Sequence, residues 1–249
     1  VHVRSDTAAG QRSGAGDRVT IPDEIRAAVT NAAAPSQEWP SVVRRRRFIV
    51  FVVLVVGAVL LGYSLRSSPG DESFYLSAVL LGTVWTVGAF LSGPLHLGSI
   101  NWRGRNQRPA LTGITVGLLL GAVFLAGGLV AREIPPIADR ITRVLEYTNH
   151  GHLGFIVLIA LFNGVAEELF FRGALYTALG RFYPVAISTL LYVCASSASG
   201  NAMLGFAALI LGTVCACERR ATGGVLAPVL THLVWGLIMV LALPPIFGL

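Results

Sequence analysis

Apolar stretches, each closed off by arginine-containing turns, succeed one another from Phe48 to Leu243. A backbone inside hydrocarbon has no water to bond, so such stretches must satisfy their polar groups internally, as helices do. Only 13% of the 249 residues are charged and 54% are hydrophobic, against roughly 25% charged in soluble domains. The remaining polar surface is too small to cover a water-soluble body of this size. An ordinary cytosolic enzyme, a disordered chain and a disulfide scaffold are excluded. The expected fold is an all-α, polytopic transmembrane bundle of about seven helices in the cell membrane.

All 19 basic residues are arginine. A formal charge of +6 would suggest nucleic acid in a soluble protein, but here the arginines punctuate apolar runs, which is a topology signal. The spacing predicts spans at 48–65, 75–93, 110–131, 153–171, 184–197, 202–217 and 225–243, with an amphipathic helix in the loop 132–152. Arginines 44–47, 103, 105, 108, 172, 181, 219 and 220 then fall on one side, and 66, 132, 140 and 143 on the other. The positive-inside rule makes the richer side cytoplasmic, and with it the N-terminus. The string Arg45-Arg46-Arg47-Phe48-Ile49 also has the look of a twin-arginine export signal, but no small-residue cleavage site follows it and many spans do.

Residues 1–47 carry 13 of the 32 charged residues and read as a disordered cytoplasmic tail, with a short helix at 22–34. Residues 48–150 read as the N-terminal helices with the amphipathic loop, and 151–245 as the functional core. Cys194, Cys215 and Cys217 form no zinc pattern, and their odd count argues against a disulfide framework. They are expected to be small core residues. Gly113, Gly117 and Gly121 form a stripe suited to close helix packing. Ser196-Ser197-Ala198-Ser199-Gly200-Asn201 reads as a turn between spans. His150 and His152 could ligate a metal only with a third ligand, which the neighbouring sequence lacks.

Charge inside an apolar span is the informative anomaly. A mid-membrane acid costs roughly 2.5–3.5 kcal/mol on insertion scales, yet the fourth span ends Asn163-Gly-Val-Ala-Glu167-Glu168-Leu-Phe-Phe-Arg172. Glu168 and Arg172 are four apart and can pair on one helix face. Asn163, one turn before Glu167, could hydrogen-bond it. Two arrangements are open on spacing alone: a solvated pair at a helix end with a snorkelling arginine, or an intramembrane site. His232, within the last span, is placed to meet Glu167 from the same side. A Glu and a His at similar depth suit acid–base chemistry or a proton relay, although no repeat symmetry supports a transporter.

The Glu167-Glu168-x-x-x-Arg172 string, followed by Gly173 and by the stretch Glu218-Arg219-Arg220 to Pro228-Val-Leu-Thr-His232, resembles the CPBP family. These are the CAAX protease and bacteriocin-processing membrane proteins, which include type II CAAX prenyl endopeptidases. The resemblance covers about 150–245. It implies an intramembrane endopeptidase, open to the cytoplasm, that acts on a peptide or protein substrate at the membrane, with lipid and no nucleic acid as its surroundings. Glu167 matches the water-activating base, His232 the oxyanion-side histidine, and Glu168 with Arg172 the supporting pair. Tyr192-Val-Cys-Ala-Ser196 matches the family's second motif with Ser196 where histidine is usual. His232-Leu-Val-Trp-Gly236 matches the third with Gly236 where asparagine is usual. No cofactor is expected; a divalent metal on Glu167, Glu168 and His232 is the alternative. Ser196 and Gly236 also leave room for a second reading, a non-catalytic scaffold or immunity-type protein.

Overall fold

The computed structural model describes residues 39–64, 72–102, 104–149, 152–198 and 200–249. The expected tail as far as residue 38, its helix at 22–34, and Arg66, Arg103, His150 and Ser199 lie outside them. The described residues form a helix bundle: α1 (Pro40–Ser64), α2 (Glu72–Ser92), α3 (Ala110–Ala131), α4 (Pro135–Asn149), α5 (Leu153–Glu168), α6 (Tyr176–Leu179), α7 (Pro184–Ser197), α8 (Ala202–Thr222) and α9 (Leu226–Ala242). A small antiparallel hairpin, β1 (Ile100–Trp102) and β2 (Arg105–Gln107), sits between α2 and α3, with Ile100 opposite Gln107. Helix α1 begins at Pro40, so Arg44–Arg47 belong to its first turns rather than to a tail.

Six helical stretches are long and apolar enough to cross a bilayer. Only 17% to 39% of each apolar window is buried inside the protein, so most of the apolar surface faces outward, as lipid requires and water forbids. The chain is a multi-pass membrane protein. Helix α7 has 14 residues, about 21 Å of rise, short of the ~30 Å hydrocarbon core. It still carries the chain from one end of the bundle to the other. Its start follows Ala178, whose carbonyl accepts from Arg47 Nε; beyond its end, Asn201 Nδ2 donates to the Arg140 carbonyl on α4. Asn201 also caps α8, its Oδ1 accepting from the Met203 amide at 2.9 Å; the turn expected at Ser196–Asn201 starts later than the sequence suggests, because Ser196 and Ser197 are the last residues of α7.

The fourth span does not stop at Arg172. After α5 the chain runs on as π-helix from Leu169 to Leu175 and closes with α6, a continuous apolar span of 27 residues, Leu153–Leu179. Phe170, Phe171, Arg172, Gly173, Ala174 and Leu175 are all buried. A helix covered on every face is a core helix, and this segment is the centre of the bundle. Trp85 of α2 packs on Phe170 and Phe171, ring centroids 4.5 and 5.3 Å away. The wider π turn is a single-turn departure of the kind that recurs at functional sites.

The glycine stripe does what its spacing suggests. A Cβ on Gly113 would stand 2.5 Å from the Ala227 carbonyl oxygen, and one on Gly117 would stand 2.8 Å from that of Thr231. Helices α3 and α9 therefore touch backbone to backbone. The cysteines are free, with Cys215 buried but Cys194 and Cys217 exposed. The expectation of three core cysteines fails for those two, which lie on outward faces.

The arginine-rich end of the bundle is tightly closed. Arg46 is fully buried, its Nη1 donating to Ser92 Oγ at 3.2 Å. The segment after α2 is pinned to the start of α9: Val225 N donates to the His96 carbonyl at 2.8 Å, Leu226 N to that of Leu97, and Ser99 N to that of Thr222. Gly224 lies so close to the Leu97–Gly98 backbone that no side chain fits there.

Candidate active site

The site is built where the α5–π junction meets α7, α8 and α9. Glu168 and Arg172 are fully buried, which excludes the solvated helix-end arrangement. Arg172 Nη1 donates to Glu168 Oε1 at 2.9 Å, and its Nη2 donates to the Gly212 carbonyl at 3.0 Å. His232 Nδ1 is 2.9 Å from the same Glu168 Oε1. Thus one carboxylate oxygen takes both an arginine and an imidazole. A buried charge is tolerable only when paired and hydrogen-bonded in this way.

Glu167 points elsewhere. It is half-buried and borders a cavity of about 320 Å³ whose wall also carries Asn163, Tyr192, Ser196, His232 and Trp235. Its partner is Tyr192, whose hydroxyl donates to Glu167 Oε2 at 2.6 Å. The expected Asn163–Glu167 bond is absent; Asn163 Nδ2 donates to the Ile159 carbonyl one turn back. Tyr192 is itself held by the cluster, with the Arg172 guanidinium carbon 4.6 Å from its ring centroid and the Phe171 ring at 4.9 Å. Sequence reasoning missed this tyrosine as a functional residue. The available signal was a phenol in an apolar span, since a buried tyrosine hydroxyl usually has a partner.

The five site residues named from sequence therefore gather in one place, in two layers. Glu168 and Arg172 form a sealed layer beneath. Glu167, Ser196 and His232 reach the cavity. Gly236 leaves a gap beside the imidazole, because a Cβ there would meet only His232 Cδ2, at 4.0 Å. Behind His232, Thr231 Oγ1 lies 2.9 Å from Glu218 Oε1 and 3.0 Å from the Gly113 carbonyl, a buried polar contact not foreseen from sequence.

Among the described residues no group of three His, Cys, Asp or Glu side chains is arranged to hold an ion, and Glu168 Oε1 is already shared by Arg172 and His232. The cavity that Glu167 borders extends along the bundle. Its wall runs from Glu167 and His232 past Ile159, Ala207 and Ser196 to Leu61, Phe74 and Leu204. These last residues stand at the end of α1 and the starts of α2 and α8, away from the arginine-rich end.

Fold and site define a polytopic membrane protein with a paired Glu-Arg-His layer under an open glutamate. Residues 149–238 match the family model of Type II CAAX prenyl endopeptidase Rce1-like proteins, the family that the Glu167-Glu168 motif resembles. The match spans the helices that carry the whole cluster. No curated protein and no solved structure matches the chain.

Proposed function

We propose that the protein is an intramembrane endopeptidase that hydrolyses a peptide bond of a membrane-associated substrate, with Glu167 activating the water. The observation that carries this reading is the shared cavity of Glu167, Ser196 and His232. Tyr192 holds one oxygen of the Glu167 carboxylate and leaves the other for a water. Glu167 takes a proton from that water as hydroxide adds to the scissile carbonyl. It then returns the proton to the departing amine, so one group serves as base and acid. In its imidazolium form His232 has two donors. Nδ1 faces Glu168, and Nε2–H is the donor for the oxyanion. Glu168 and Arg172 hold that ring in place, and Ser196 orients the water or the substrate backbone.

The test is Glu167→Gln, which keeps the size and the Tyr192 contact but removes the base. General-base loss costs roughly 10²–10⁴-fold in rate. Cleavage of a membrane-tethered reporter by reconstituted protein should fall at least a hundredfold while the melting temperature holds. Cleavage within twofold of wild type would refute the base role. The scaffold reading draws on Ser196 and Gly236, and it predicts no cleavage by the wild-type protein.

A further inference from the structure

Resting on the endopeptidase reading, we infer that Glu218 is a positioning residue for His232 and that it works as a neutral carboxylic acid. Its O–H donates to Thr231 Oγ1, and the Thr231 hydroxyl donates onward to the Gly113 carbonyl. Two short contacts here share one hydroxyl. Thr231 Oγ1 lies 2.9 Å from Glu218 Oε1 and 3.0 Å from the Gly113 carbonyl oxygen. A carbonyl only accepts, and a hydroxyl carries a single proton. A carboxylate at 218 would therefore leave one contact without a hydrogen, with two acceptors facing each other. A carboxylic acid supplies the missing proton, and both contacts are then made.

Burial and the neighbouring charges agree. Glu218 is 8% exposed and Thr231 is fully buried, and Glu218 Oε2 is buried without a hydrogen-bond partner. A carboxylate oxygen in that place would be uncompensated charge, whereas the carbonyl oxygen of an acid loses far less. Among the described residues no cation pairs with Glu218, because the surrounding groups are committed elsewhere. Arg219, next in the chain, donates to the Arg172 carbonyl at 2.8 Å and reaches Thr177 Oγ1. Arg172 spends its guanidinium on Glu168 and the Gly212 carbonyl, and His232 faces Glu168. Tyr192 of α7 donates to Glu167, the Cys215 thiol is directed at the Pro228 carbonyl, and α3 brings no titratable side chain. With Glu218 neutral the charges of the site balance, Glu167 and Glu168 against Arg172 and the His232 imidazolium.

The clamp acts on the site through α9. Thr231 immediately precedes His232 and is held from α8 by Glu218 and from α3 by Gly113, so the rotation of α9 is fixed at that level. The imidazole has little room to adjust by itself. A Cβ on Gly164 of α5 would stand 3.2 Å from its Cδ2, and Nδ1 keeps its 2.9 Å contact with Glu168. A turn of α9 would carry Nε2 away from the place where the oxyanion forms.

Infrared difference spectra of reconstituted wild type against Glu218→Gln, at neutral pH, read the acid directly. The expected difference is a protonated-carboxyl C=O band that shifts in heavy water. Carboxylate bands in its place overturn the inference. Cleavage kinetics on the tethered reporter read the positioning. Glu218→Gln keeps a neutral donor for Thr231 and should stay within about threefold of wild type in kcat. Glu218→Leu and Thr231→Val break the chain of hydrogen bonds, and kcat should fall about tenfold with KM unchanged. Thr231→Ser keeps the hydroxyl and should stay near wild type, so the Thr231 pair carries the test even if Glu218→Leu does not fold. Glu218→Gln as damaging as Glu218→Leu, or Thr231→Ser as damaging as Thr231→Val, overturns the inference. Wild-type protein that shows the acid band but cuts nothing overturns the protease reading and supports the protonated clamp.

Discussion

Removing the Arg172 guanidinium should be among the most damaging single changes available to this chain. Arg172→Met keeps an unbranched apolar stem but deletes two hydrogen bonds, to Glu168 Oε1 and to the Gly212 carbonyl. Both residues of the ion pair are fully buried. Breaking a buried pair from one side costs about 3–5 kcal/mol, because the surviving charge stays desolvated. His232 remains 2.9 Å from Glu168, so the lower half of that range is expected. At about 2–4 °C per kcal/mol for a chain of this length, the melting temperature should drop by about 10 °C. The double variant Glu168→Gln, Arg172→Met removes both charges, and its cost should fall short of the sum of the single variants by about 1–3 kcal/mol. The assay is thermal unfolding in detergent, followed by a thiol-reactive dye on buried Cys215 in the Cys194→Ala, Cys217→Ala background. A shift under 3 °C for Arg172→Met, or strict additivity in the double variant, would refute the buried pairing as the organising contact of the site.

Three further outcomes follow from named contacts. Tyr192→Phe keeps the ring stacking but deletes a hydrogen bond to a carboxylate, worth about 1.5–3 kcal/mol. Cleavage kinetics should lose about 10–100-fold in kcat with KM nearly unchanged, and a change confined to KM would count against a positioning role. Gly117→Val puts a branched side chain where the Thr231 carbonyl already stands. It should cost about 1–3 kcal/mol, measured as a fall in melting temperature that Leu119→Val, on an exposed face, does not reproduce. Gly236→Asn fills the gap beside His232 with a second oxyanion donor. One such donor is worth ~10²–10³ in rate elsewhere, and kcat for the tethered reporter should rise at least tenfold; a fall would mean that the gap is occupied by substrate.

Legibility differed from contact to contact. The Glu168–Arg172 pair could be read directly, because i,i+4 geometry is fixed by the helix itself. The same arginine obscures the boundary: charge at the end of an apolar run signals the membrane surface, whereas this charge is neutralised in the core and the helix runs on to Leu179. The open glutamate's partner was not legible, because Tyr192 is brought to it by tertiary packing across 25 residues. Asn163 was the nearer candidate, but its amide satisfies a backbone carbonyl of its own helix, the local competition expected of short polar side chains. The glycine stripe foretold a close helix pair but not its partner, α9. The direction of the cavity could not come from depth arguments on single helices. It emerged once six helices contributed their ends to a common wall.

The pairing of Glu168 with Arg172 on one helix also bears on how the chain enters the bilayer. Each charge alone would add roughly 2.5–3.5 kcal/mol to insertion of its span. Because the two side chains meet four residues apart, they can neutralise one another as soon as that helix forms, before any later span has been made. His232 arrives only with the last helix, so in a growing chain the carboxylate is first guarded by its own arginine and later shared with the imidazole. Biogenesis would then assemble the reactive centre last, after the segment bearing its charges is already safely housed in the membrane.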